Sequence, residues 1–265
     1  MNDTVTAGED LLYEVEGGVG YVTFNRPQAR NAMTFAMYEG LAEICRDAGN
    51  KNDVRVLVIT GAGGKSFAAG TDISLFRNFK GKEDGLAYEA KMDAVLNDIE
   101  ECAVPTIAAI SGACTGGGAA IAAACDVRFS TRDVKFGVPI ARTLGNCLSI
   151  SNLQRLANVC GPALAREILI TSRLIECPEA ERIGLATEFF DTSEQMMARV
   201  KELAMTMTGF APVTIRATKE GFARLARDGG SAEDHDLIAL CYGSEDFREG
   251  LDAFLAKRKP QWKGR

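Results

Sequence analysis

The chain has 265 residues, 46% of them hydrophobic and 25% charged, with a formal net charge of −6. That length supports one large domain or one domain with an appendage, and the acidic balance argues against general attraction to nucleic acid or to an anionic membrane surface. With a single histidine, His235, and eight cysteines that never form a Cys-x-x-Cys pair, zinc sites and histidine-centred triads lack their usual ingredients.

Leu11 to Val15 and Tyr21 to Phe24 read as paired strands around the turn Glu16 to Gly18, and Asn25 to Pro27 ends the hairpin. Apolar residues then recur at helical spacing from Thr34 to Asp47 (Phe35, Tyr38, Leu41, Ala42, Cys45), with Thr34 as the cap. Asn50 to Asp53 breaks this pattern before a buried strand, Val56 to Thr60, which runs into the glycines of Gly61 to Gly64. Arg77 to Gly85 is polar and reads as a mobile loop, and helical periodicity resumes from Leu86 to Ile99. Pro105 opens an apolar strand, Thr106 to Ile110, and further strands are expected at Asp126 to Ser130 and Val134 to Phe136. This alternation of strands and helices implies parallel crossovers and an α/β architecture. Beyond Ser149 the pattern is helical, in segments near 149–160, 162–171, 178–184, 193–209, 212–227, 232–241 and 246–256, with one strand near Thr187 to Phe190.

Met1 to Thr4 carries no basic-then-apolar leader, and no apolar run reaches the roughly 18 residues of a bilayer span. The cysteines sit mainly in apolar segments and read as small core residues. A reducing cytoplasm fits both observations. His235 lies in a charged, exposed helix start, and the basic C-terminus (Lys257, Arg258, Lys259, Lys263, Arg265) reads as a solvated face that could meet a phosphate.

The most informative stretch is Gly112 to Ala120, where the triplet Gly116, Gly117 and Gly118 opens a helix of small residues. Glycines there leave backbone N–H groups bare at a positive helix end, open to an oxyanion. A second such element, Phe67 to Ile73, follows the strand at Val56. The two loops could give one site two backbone donors.

Together with Phe24 to Met33, Cys125 with Asp126, Phe136 to Pro139, Gly184 to Ala186 and the ending from Ser244 to Arg258, these elements resemble the crotonase superfamily, the enoyl-CoA hydratase/isomerase family, over nearly the whole chain. The resemblance implies a spiral of ββα repeats over residues 1–200 and a C-terminal helical trimerisation region over 201–265, assembling as a homotrimer or a dimer of trimers. It implies an acyl-CoA thioester as partner, with no tightly bound cofactor and coenzyme A entering as part of the substrate. By motif position the thioester oxygen would meet the N–H groups of Thr71 and Gly117. Ala68, Ala69, Asp72 and Ile73 would line the adenine, Arg30 would lie near the pantetheine or phosphates, and Phe254 and Lys257 would reach a neighbouring subunit's coenzyme A. Read without the resemblance, Asp72 and Asp126 serve loop and helix-end hydrogen bonds.

The sequence departs from the family's hydratases at the two glutamates that move protons: Ala120 and Ile140 stand in those places. Neither side chain can exchange a proton. Since a positioned acid or base contributes about 10²–10⁴-fold, ordinary enoyl-CoA hydration is not implied. Replacement groups are sought just beyond, in Arg142, Asn146 and Cys147, each with a structural alternative as ion-pair member, turn residue or core thiol. Three functions stay open: an enzyme acting through a stabilised enolate (an isomerase, a decarboxylase, or a lyase that adds to or eliminates from an unusual acyl group), a non-catalytic acyl-CoA-binding protein, and an assembly module.

Overall fold

Strand, strand, helix is the unit that repeats along this chain. The computed structural model describes residues 8–49 and 54–265, so the expectations for Met1 to Thr4 and for the break at Asn50 to Asp53 lie outside the described residues. The first unit is β1 (Leu11–Glu16), β2 (Val19–Phe24) and α1 (Phe35–Asp47). Gly17 and Gly18 make the tight turn of the β1–β2 hairpin, and their φ values of 60° and 84° are ones that a β-carbon would disfavour. Thr34 caps α1, its side chain accepting the Met37 N–H.

The second unit is β3 (Val56–Gly61), β4 (Ser66–Ala68), a 3-10 turn over Ile73–Asn78 and α2 (Lys82–Glu100); the third is β5 (Thr106–Ile110), β6 (Ala113–Thr115) and α3 (Gly117–Ala124). The fourth is β7 (Val127–Thr131), β8 (Lys135–Gly137), the short α4 (Ile140–Thr143) and α5 (Ile150–Cys160). Then come α6 (Pro162–Thr171), β9 (Ile175–Glu176), α7 (Cys177–Ile183), β10 (Glu188–Phe190) and α8 (Ser193–Met207), and the chain closes with α9 (Pro212–Asp228), α10 (His235–Gly243) and α11 (Glu245–Leu255).

The strands of successive units stack into two sheets. β2, β3, β5, β7 and β10 run parallel in a six-stranded sheet whose other edge is β1; β4, β6 and β8 run parallel in a four-stranded sheet closed by antiparallel β9. This is the crotonase-like spiral of ββα repeats followed by a helical C-terminal region. β3 and β5 read as unbroken apolar runs because both faces of the larger sheet are covered. Leu57, Ile59, Ala108 and Ile110 belong to the main core with residues of α1, α2 and α3, while Val56, Val58, Ile107 and Ala109 pack with Met196, Val200 and Ala204 of α8.

The structure corrects the sequence reading in two places. Arg77 to Gly85 is not one loop: it holds the end of the 3-10 turn and the first residues of α2, where the Asp84 carboxylate accepts the N–H groups of Lys80 (2.7 Å) and Gly81 (3.2 Å). The short strands β4 and β6, in the stretches read as glycine loops, and β9, for which the sequence held no expectation, build the smaller sheet with β8. Residue 200, the expected end of the spiral core, lies within α8, a helix buried against the larger sheet, and α9 begins at Pro212. Asp126 behaves as a structural acid: it accepts the Thr106 N–H (2.7 Å) and hydroxyl (2.8 Å) and pairs with Lys219 of α9, which ties the C-terminal helices to the entry of β5.

Candidate active site

A cavity of about 280 Å³ lies where the second and third units meet. Its floor is made by two backbones pressed together. Gly70 (φ 98°) precedes Thr71, Gly116 (φ 56°) precedes Gly117, and a β-carbon on Gly116 would come within 3.2 Å of the Gly70 Cα. A β-carbon on Gly118 would overlap the Ala68 carbonyl oxygen, and one on Gly117 would overlap the Tyr38 hydroxyl. The glycine triplet is therefore required by close approach of neighbouring chain.

The direction of the two N–H groups follows from the bonds around them. Met33 bridges to the segment about Thr71, its N–H donating to the Gly70 carbonyl (2.8 Å) and its carbonyl accepting the Asp72 N–H (2.9 Å). In such a parallel bridge the intervening residue turns its own N–H away from the partner strand, and that of Thr71 meets no acceptor among the described residues. Gly117 opens α3, and a residue in the first turn has no intrahelical acceptor. Both residues line the cavity.

Asn31 holds this floor in place. Fully buried in left-handed backbone (φ 56°), it donates to the carbonyls of Ala62 (3.0 Å) and Ser66 (2.7 Å) and accepts the Arg26 N–H (3.0 Å). Arg26 in turn donates to the Ala32 carbonyl (2.6 Å) and to Asp72 (3.1 Å). Hydrogen bonds from Ser74, first its hydroxyl and then its N–H, hold the Asp72 carboxyl below the usual carboxylate range, with Arg26 adding to the effect.

Three hydroxyls lie beside the donors. The Thr71 Oγ1 joins the Tyr38 hydroxyl (2.9 Å) to the Tyr88 hydroxyl (2.8 Å), so α1 and α2 both fix the Thr71 side chain. Burial raises the pKa of both phenols above its ordinary value, most strongly at fully buried Tyr38, while the Thr71 hydrogen bond opposes it in each. Both stay neutral near neutrality. Thr71→Val should strand the Tyr38 hydroxyl in the core and lower unfolding stability by about 1–3 kcal/mol, read from urea denaturation; a loss below about 0.3 kcal/mol would mean that the hydroxyl finds another partner.

The walls are apolar except at a few points. Phe76, Met92, Leu96, Val138 and Leu148 line them, with Ala120 and Ile140. Of the residues expected to replace the missing carboxylates, Asn146 lines the cavity, while Arg142 and Cys147 are exposed and do not. The reason is helical: Ile140, Thr143 and Leu144 lie on one face at spacings of three and four and meet the cavity, which turns Arg142 to the other side. Sequence reasoning passed over Tyr38, Tyr88 and Glu89, all of which line the cavity. Helical periodicity pointed Tyr38 inward but gave no sign that its hydroxyl reaches Thr71.

The remaining expected residues spread outward from this chamber. Ala69 and Ile73 line it; Ala68 is fully buried in β4, and Asp72 is occupied by Ser74 and Arg26. Arg30 is exposed and lines a separate depression with Lys65, Lys135 and Asp133. Phe254, 81% exposed, and Lys257, exposed, sit at the end of α11. Of the C-terminal basic cluster, Arg258 pairs with Glu249, and Lys263 and Arg265 pair with Glu245, so part of that charge is neutralised within the chain. Among the described residues no group of three His, Cys, Asp or Glu side chains is arranged to hold a metal ion, and no helix is long and apolar enough to cross a membrane.

Known proteins share this architecture. The sequence model for enoyl-CoA hydratase/isomerase matches residues 14–265. The chain is 32% identical over 253 residues to the short-chain-enoyl-CoA hydratase of Clostridium acetobutylicum, covering 94% of this chain and 96% of that one. It is 32% identical over 257 residues to the crotonyl-CoA hydratase of Syntrophomonas wolfei, covering 96% and 97%. The crystal structure of an enoyl-CoA hydratase/carnithine racemase from Magnetospirillum magneticum superposes with a TM-score of 0.88 at 34% identity, covering 97% of each chain. With a match that runs almost from end to end in sequence and in fold, this chain belongs to the enoyl-CoA hydratase/isomerase family.

Proposed function

We propose that the protein is an enzyme acting on acyl-CoA thioesters, in which the N–H groups of Thr71 and Gly117 receive the thioester oxygen and stabilise an enolate. The observation that carries this reading is the contact between the Gly70 and Gly116 backbones, which brings two unpartnered N–H groups to the floor of one apolar cavity. Such donors, fixed before the reaction, favour the oxygen as it gains charge, and removal of one costs about 10²–10³ in rate.

The Clostridium and Syntrophomonas relatives are named hydratases, yet Ala120 and Ile140 line the cavity where that chemistry would use two carboxylates. The reading therefore favours reactions that need an enolate and fewer proton-transfer groups than hydration, isomerisation foremost. The coenzyme would run from the cavity across Ala69 and Ile73 toward Arg30, whose depression also holds Lys65 and Lys135, suited to phosphate. Self-assembly as a trimer or pair of trimers is supported by apolar side chains that a single chain leaves uncovered on the C-terminal helices, among them Phe222 (70% exposed), Leu251 (51%) and Phe254 (81%). In deuterium oxide the protein should exchange the α-hydrogens of vinylacetyl-CoA, read by mass spectrometry. Binding without exchange would reduce it to an acyl-CoA-binding protein.

A further inference from the structure

Taking Thr71 and Gly117 as the enolate donors and isomerisation of a β,γ-unsaturated acyl thioester as the reaction, both from the reading above, we propose that Glu89 of α2 is the proton carrier of this site. Among the described residues Glu89 is the one carboxylate that lines the cavity. It follows Tyr88, whose hydroxyl bonds Thr71, so a single helical turn brings the acid and the donor loop to the same chamber.

The carboxylate is oriented but not neutralised. One oxygen accepts the Ser149 N–H at 3.3 Å, at the cap of α5, and no lysine or arginine among the described residues pairs with it. The charged neighbours are engaged elsewhere. Asp93, one turn further along α2, accepts from the Ser149 hydroxyl (2.7 Å) and from Arg155 of α5 (3.4 Å). Arg155 also meets Glu100 at 2.8 Å, and Lys91 is paired with Glu39 of α1. The other polar side chains that line the chamber are neutral: the hydroxyls of Thr71, Tyr38, Tyr88, Thr115 and Thr143 and the amides of Asn146 and Asn152. Burial, the largest influence, raises the Glu89 pKa above the usual carboxylate range, and the nearby Asp93 adds to this while the Ser149 N–H opposes it. A base of raised pKa accepts a carbon-bound proton more readily.

The reaction balances with one carboxylate. Glu89 takes the α-proton, the C–H pair becomes a carbon–carbon double bond, and the carbonyl pair moves onto the oxygen held by the two N–H groups. Return of that proton to the γ-carbon, with collapse of the oxyanion, gives the α,β-unsaturated thioester with no atom gained or lost. Hydration would need a second group to activate water.

Wild-type protein should convert vinylacetyl-CoA to crotonyl-CoA, and Glu89→Gln, which keeps an acceptor for Ser149, should lower kcat by about 100-fold or more. Butyryl-CoA binding, measured by calorimetry, should stay within about threefold. The wild-type pH profile should rise through an acid limb above the ordinary carboxylate range, because the ionised form is the active one, and that limb should vanish from the residual activity of the variant. Glu89→Asp, which retains charge but loses reach, should fall between the two. If Glu89→Gln and Glu89→Asp keep wild-type turnover while Gly117→Ala loses it, Glu89 is not the carrier and the donor pair stands. Wild-type protein that binds butyryl-CoA yet neither isomerises nor exchanges vinylacetyl-CoA overturns both.

Discussion

Gly117→Ala should lower α-hydrogen exchange on vinylacetyl-CoA by about 10²–10³-fold, the expected loss of one oxyanion donor. Alanine suits the opening of a helix, so the damage comes from position: the new methyl would overlap the Tyr38 hydroxyl and lie 3.3 Å from the Thr71 Oγ1. Either α3 retreats or the Tyr38–Thr71–Tyr88 chain breaks, and both movements separate the two N–H groups. A partial rescue checks the cause. Adding Tyr38→Phe removes the overlapping oxygen and leaves the ring Cζ as the next neighbour, at 3.2 Å from the methyl. The double variant should regain most of the thermal stability lost by the single one. If Tyr38→Phe gives no relief, the overlap is not what the methyl disturbs.

Ala120→Glu combined with Ile140→Glu should raise hydration of crotonyl-CoA by about 100-fold or more, with each single change giving far less, because acid and base act as a unit. Both positions line the cavity, Ala120 one turn below Gly117 and Ile140 directly after Pro139, and about 280 Å³ of space receives the longer side chain at position 120. The assay is loss of the enoyl absorbance. A folded double variant that binds butyryl-CoA but hydrates no faster than wild type would show that the walls around Leu144 and Leu148 no longer admit a water on the correct face of the double bond.

Long elements with a clear period were legible in the sequence. The β1–β2 hairpin, α1 with its Thr34 cap, the apolar strands β3 and β5 and the helices after Ser149 all carry their signal locally. The smaller sheet does not: β4, β6 and β9 have two or three residues each, too few to show alternation, and they exist because the spiral stacks them. The backbone part of the candidate site was legible for a physical reason, since glycine at 116 to 118 is demanded by close approach and leaves a mark in the sequence. The side-chain part was not. Glu89 is one of several acids on the amphipathic helix α2, and what separates it from Glu83 is the lead of α5 at Ser149, sixty positions away. Arg142 and Cys147 were chosen by nearness in sequence to Ile140, but the short helix α4 carries Arg142 around to solvent and the following turn leaves Cys147 exposed.

The covering of the larger sheet by α8 has a consequence for synthesis. Val56, Val58, Ile107 and Ala109 present an apolar surface as soon as β3 and β5 have paired, but the helix that shields it begins only at Ser193. A nascent chain on the ribosome carries that bare surface throughout the translation of the intervening segment, at roughly 5–20 residues per second. A stop codon before Ser193 would therefore leave a polypeptide with its spiral begun and one side of its main sheet open to holdase chaperones or to aggregation.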